Sequence, residues 1–153
     1  MSVAALVDTS LLLYCYDRSN PVKYEYALAA MDQLEYANAG ALSTQVLGEF
    51  LINVTRKPAV PLPLETALDE VGRYLRSWIV FDVTTSVVKE AVRAVRQHRL
   101  NYWDAQIWAV AFVHRIPFVL SEDFQTGRVL EGVRFLNPLH PDFSTAELVR
   151  LMR

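Results

Sequence analysis

The sequence predicts an α/β fold built on a mostly parallel sheet. Short apolar, β-branched runs alternate along the chain with stretches of helical periodicity, the order expected of strands that return through helices. Of the 153 residues 52% are hydrophobic and the mean hydropathy is +0.15, which supplies one sizeable core and excludes a disordered chain. A single compact domain over residues 1–153 is expected, with no internal repeat, low-complexity tract or linker.

Val3 to Val7 reads as the first strand, and Pro21 to Asn38 as a helix ended by Gly40. Ala41 to Ser43 is a short strand, followed by a helix over Thr44 to Arg56 whose Val46, Leu47, Phe50, Leu51 and Val54 form one stripe. Three prolines, Pro58, Pro61 and Pro63, make Lys57 to Pro63 a stiff loop. Leu64 to Trp78 is helical and Ile79 to Val83 a strand; Thr85 to Leu100 and Trp103 to His114 are helices. Phe118 to Ser121 and Val133 to Leu136 complete the strands.

The longest apolar runs, such as Ser10 to Tyr16, are too short to cross a bilayer, and no basic region precedes the first apolar stretch, so a cytoplasmic protein is expected. Cys15 is the only cysteine, which forbids an intrachain disulfide, and its apolar run suits a buried structural thiol better than a nucleophile. His98, His114 and His140 have no paired metal spacing, which points away from zinc.

Four acids stand out: Asp8 in LVDTS, Glu49 in QVLGEFL, Asp104 in YWDAQIW and Asp123 in VLSEDFQ. Each sits at a strand end or near a helix start, flanked by apolar residues whose packing fixes its backbone. Ligands of open α/β sheets bind beyond the carboxyl ends of the strands, and Asp8 and Asp123 share a crevice there if their strands are neighbours. Converging carboxylates repel unless a cation neutralises them, and hard oxygen donors favour Mg²⁺ or Mn²⁺. Each acid has a plainer reading beside this one. Asp8 with Thr9 and Ser10 could cap a following helix, Asp104 could cap the helix it begins, and Asp123 precedes Gly127 in a turn. Glu49 lies beyond the apolar stripe of its helix, where a lone Glu is usually solvated.

The formal charge of −2 conceals an asymmetry, because setting the four acids aside leaves +2. From Thr85 to Trp103 the chain carries Lys89, Arg93, Arg96 and Arg99 against Glu90 alone. Lys89, Arg93 and Arg96 share one helix face by their spacing, either a track for phosphates or a solvated face.

The stretches LVDTSLLLY, STQVLGEFLINVTRK, LNYWDAQIWAVA and VLSEDFQTGRVLEGVRFLNPL, in this order, resemble the PIN-domain nucleases, specifically the VapC-like toxins of toxin–antitoxin pairs. The resemblance covers nearly the whole chain, with the acids 41, 55 and 19 residues apart. It implies an α/β/α sandwich around a parallel sheet and an endoribonuclease that uses Mg²⁺ or Mn²⁺, with Asp8, Glu49, Asp104 and Asp123 as metal-binding catalytic acids. Thr9, Ser10 and Ser121 would support them by hydrogen bonds. Asp123, not its neighbour Glu122, matches the family's last acid, and Glu122 is expected to point elsewhere. A homodimer acting on RNA and a small inhibitory antitoxin are further implications, with Trp78 or Trp108 as conceivable anchors if not core residues. An RNA-processing nuclease without an antitoxin and a non-catalytic RNA-binding or scaffold PIN domain are the alternatives. A receiver-like signalling domain, with Asp82 as phospho-acceptor, fits less well: Asp8 stands without an acidic partner and Phe118 to Glu122 contains no lysine.

Overall fold

Residues 5–7, Ala-Leu-Val, are apolar on both sides of the pleat and buried on both, so their strand must lie inside a sheet covered on each face. The computed structural model, which describes residues 3–152, places them so. The elements are β1 (Ala5–Val7), α1 (Thr9–Tyr14), α2 (Pro21–Ala37), β2 (Gly40–Ser43), α3 (Thr44–Val54), α4 (Leu64–Ser77), β3 (Ile79–Phe81), α5 (Thr85–His98), α6 (Tyr102–Val113), β4 (Phe118–Leu120), β5 (Val129–Leu130), β6 (Val133–Leu136) and α7 (Thr145–Leu151). The sheet order is β3-β2-β1-β4-β6-β5, parallel at every pairing except β5 against β6. This is the α/β architecture with a mostly parallel sheet and flanking helices that the sequence predicts.

Strand pairing at the centre of the sheet decides which side chains can meet. β1 pairs with β4, Leu6 opposite Val119 and Val7 opposite Leu120, so the strands expected to be neighbours are neighbours. The ladder extends one residue further, where the Asp8 N–H donates to the Leu120 carbonyl at 2.9 Å and the Ser121 N–H to the Leu136 carbonyl at 2.9 Å. The chain therefore leaves β1 and β4 at one edge, with Asp8 and Ser121 side by side. β3 is an edge strand, so Asp82 follows an outer strand, two strands away from β1.

Helix ends agree with the sequence reading to within a residue or two, and one assignment changes in kind. Gly40 does not stop α2: the left-handed cap is Asn38, with φ of 51°, while Gly40 is the first residue of β2. Its lack of a side chain serves packing, because a Cβ there would lie within 2.9 Å of Trp78 Cη2 and closer still to Cζ3. Trp78 and Trp108 both belong to the core, and the Trp108 indole N–H donates to the Leu130 carbonyl at 3.2 Å. Cys15 is half-buried rather than fully buried, and burial pushes its thiol up to about 12, which leaves it inert as a nucleophile. Three short elements, α1, β5 and α7, are additions to the sequence reading. Among the described residues no helix is long and apolar enough to cross a membrane.

Gly40→Ala is expected to destabilise the fold by roughly 1–3 kcal/mol through overpacking, read as a lower urea midpoint, and by less in a Trp78→Phe background where the colliding atoms are gone. An unchanged midpoint for the single variant would show that the indole has room to move.

Candidate active site

Each of the four acids is delivered by a different piece of the fold. Asp8 follows β1 and Asp123 follows β4, at the edge where these strands end together. α3 packs on α1 and carries Glu49 toward it, and the first turn of α6 supplies Asp104. All four line one cavity of about 440 Å³, together with Thr9, Ser10, Asn53, Lys57 and Trp103.

Hydrogen bonds tie the acids to one another's elements. Asp8 is 3% exposed; its Oδ1 accepts from the Thr9 N–H at 2.7 Å and its Oδ2 from the Ser121 hydroxyl at 2.6 Å. The same Ser121 oxygen accepts from the Asp123 N–H at 3.0 Å, so one hydroxyl links the ends of β1 and β4. The Thr9 hydroxyl donates to Glu49 Oε2 at 2.8 Å, and the Gln45 amide to Glu49 Oε1 at 2.8 Å. Gln45 is held in turn by the Gln106 amide at 2.7 Å. Ser10 plays a smaller part, its hydroxyl accepting from the Glu122 N–H at 3.4 Å.

The capping alternatives resolve differently at each residue. Asp8 is the N-cap of α1 and also lines the cavity, so the two roles coexist. The N-cap of α6 is Asn101; Asp104 stands three residues on, its N–H bonded to the Asn101 side-chain carbonyl oxygen at 3.0 Å, while the Asn101 amide donates back to its carboxylate. Glu49 is half-buried between hydrogen-bond donors rather than solvated.

Burial and like charge act together here. Burial pushes the Asp8 carboxyl up to about 7, against the lowering effect of the Ser121 and Thr9 hydrogen bonds, and Asp123 and Glu49 add to the rise. Asp104 is raised mainly by burial, with Asp123 and Glu49 contributing. Asp123 is raised mainly by burial, then by Glu122 and Glu49, and is relieved in part by Lys57 and Lys23. Glu122 lines the cavity after all, contrary to the sequence expectation, but its carboxylate is engaged by the Lys23 ammonium at 2.6 Å. That pairing leaves Asp123 as the unneutralised member of the adjacent pair.

The basic face of α5 lies elsewhere. None of Lys89, Arg93 and Arg96 lines the cavity. Arg93 bonds Glu90 at 2.7 Å and Glu131 at 2.9 Å, with its guanidinium 5.6 Å from the Trp108 ring centroid and 5.3 Å from that of Phe112, so its charge is already committed. Lys57, Asn53, Gln45 and Trp103, which do border the acids, carry no local sequence signal; only the meeting of α1, α3 and α6 brings them there.

Carboxylates that raise one another in this way are chemically suited to a hard divalent cation. Among the described residues no three His, Cys, Asp or Glu side chains are gathered closely enough to hold an ion as they stand.

The sequence matches the PIN domain family over residues 5–130. No curated protein sequence matches the chain. A toxin–antitoxin complex from Klebsiella pneumoniae superposes with a TM-score of 0.64 at 17% identity, covering 88% of this chain and 98% of that one. The sarcin–ricin-loop-cleaving toxin VapC20 of Mycobacterium tuberculosis gives 0.60 at 19% identity over 76% of this chain and 87% of its own. A protein from Pyrobaculum aerophilum gives 0.63 at 20% identity over 97% and 95%.

Raised acids make stability depend on pH. A carboxyl whose folded pKa exceeds its unfolded value of 3.8 stabilises the fold most below that value and loses the contribution as pH rises through about 7. In chelator, melting temperature is expected to fall between pH 4 and pH 7.5, Asp8 alone contributing at most about 4 kcal/mol. Asp8→Asn should flatten that profile. A profile identical to the wild type would mean that Asp8 does not titrate in this window.

Proposed function

The chain belongs to the PIN-domain family, and on that premise we propose that it is a metal-dependent endoribonuclease, the toxin of a toxin–antitoxin pair. The observation that carries the reading is the convergence of Asp8, Glu49, Asp104 and Asp123 from four elements on one cavity, where burial first and the neighbouring acids second raise Asp8, Asp104 and Asp123. A bound Mg²⁺ or Mn²⁺ would supply an activated water and offset charge on the phosphate.

The chain's own residues set the stage for that chemistry. Asp8, Glu49, Asp104 and Asp123 would hold the cation. Ser121 fixes Asp8 and the Asp123 backbone at once, Thr9 and Gln45 orient Glu49, and Asn101 orients Asp104, all as neutral groups. Lys57, exposed at the cavity and acting favourably on Asp123, is placed to meet a substrate phosphate; Lys23 is occupied by Glu122. An antitoxin partner, as in the Klebsiella pneumoniae complex, a homodimeric state and a cytoplasmic location belong to the same proposal.

The purified protein is expected to cleave RNA with Mg²⁺ or Mn²⁺ and to stop in chelator, and folded Asp104→Asn and Asp123→Asn variants should lose about a hundredfold or more in rate. Cleavage that persists in excess chelator, or a variant with wild-type rate, would remove the metal or that acid from the reading.

Phosphate contacts can be separated from structural cations by their salt dependence. Lys57→Gln should weaken RNA binding and flatten the plot of log affinity against log salt by roughly one unit. Arg93→Gln should instead cost about 1 kcal/mol of stability and leave the slope alone. The reverse result would return the phosphate track to Lys89, Arg93 and Arg96 on α5.

A further inference from the structure

Resting on the nuclease reading, we infer that the Trp103 indole is a stacking platform that holds one nucleobase of the substrate beside the acids. Of the three tryptophans, Trp78 and Trp108 are 8% and 0% exposed, whereas Trp103 is 61% exposed. It stands on the wall of the acidic cavity, one residue before Asp104. Such an indole in water forgoes the burial that tryptophan ordinarily finds, and its position is not a loose one. Its carbonyl accepts from the Gln45 amide at 3.3 Å, the same amide that donates to Glu49, so the turn bearing the ring is referenced directly to the acids. Tyr102 meets the ring at 80° and 5.3 Å between centroids, an edgewise contact rather than a stack.

The cavity's charge explains why such a platform is needed. Asp8, Glu49, Asp104 and Asp123 repel a polyanion, and among the described residues Lys57 is the cavity cation without an ion pair. Stacking is indifferent to that repulsion, and every base has a face to offer. A base within a duplex has both faces covered already, so the base that stacks on Trp103 must be splayed out of its stack.

The test is cleavage kinetics on one sequence presented as a single strand and as a duplex, for wild type, Trp103→Ala and Trp103→Phe, with tryptophan emission followed during single-strand titration of Asp8→Asn. Expected are preferential cleavage of the single strand, a KM raised about five- to 150-fold in Trp103→Ala with kcat little changed, near-recovery in Trp103→Phe, and quenched emission on binding. Wild-type KM in Trp103→Ala together with unquenched emission overturns the inference and assigns the ring to a protein-binding surface. If wild type cleaves no RNA with any divalent metal, the nuclease reading fails by itself, and the emission titration still decides whether bases stack on Trp103.

Discussion

A carboxylate buried to 3% exposure at the end of a central strand is costly to fold, and the arrangement around Asp8 follows from that cost. The ladder between β1 and β4 holds its backbone, and the Ser121 hydroxyl and Thr9 N–H occupy its oxygens. These donors lower the cost without cancelling it, since burial still pushes the group up to about 7. The residual cost is relieved by protonation at low pH, and Asp123 and Glu49 raise it further. The apolar sheet beneath makes this possible: Leu6, Val7, Val119 and Leu120 are fully buried and do not give way.

Around that centre the polar side chains sort into those that neutralise and those that only orient. Lys23 neutralises, and it is spent on Glu122, which keeps a fifth carboxylate from competing in the cavity. Thr9, Gln45, Ser121 and Asn101 orient, as neutral donors that fix geometry without supplying charge. A lysine could not take the place of Ser121 or Gln45, whose oxygens also accept from the Asp123 N–H and the Gln106 amide. The distribution of charged against neutral partners is therefore as informative as the acids themselves.

Legibility in the sequence differed from residue to residue for physical reasons. Asp8, Asp104 and Asp123 could be singled out because strand ends and helix starts are local features. Glu49 could not be placed by periodicity, since what buries it is α1, forty residues away in the chain. Gly40 looked like a helix stop, because glycine near a helix end ordinarily is one; its actual constraint is the Trp78 ring, which no local pattern reveals. The spacing of Lys89, Arg93 and Arg96 on one face was sound, yet Glu131 and Trp108, from distant segments, take up the middle one. α1 went unread because six residues within an apolar run carry too little periodicity to distinguish helix from strand.

The sequence by itself determined the class of fold and the order of its longer elements, and singled out Asp8, Asp104 and Asp123 as candidates, because hydrophobic periodicity and helix and strand boundaries are short-range properties. Tertiary structure alone decided that β1 lies beside β4, that Glu122 is paired away while Asp123 is not, and that Lys57 and Trp103 rather than α5 border the acids. Those outcomes depend on distances between segments far apart in the chain, which are set by sheet register and side-chain packing and have no counterpart in any local run of residues.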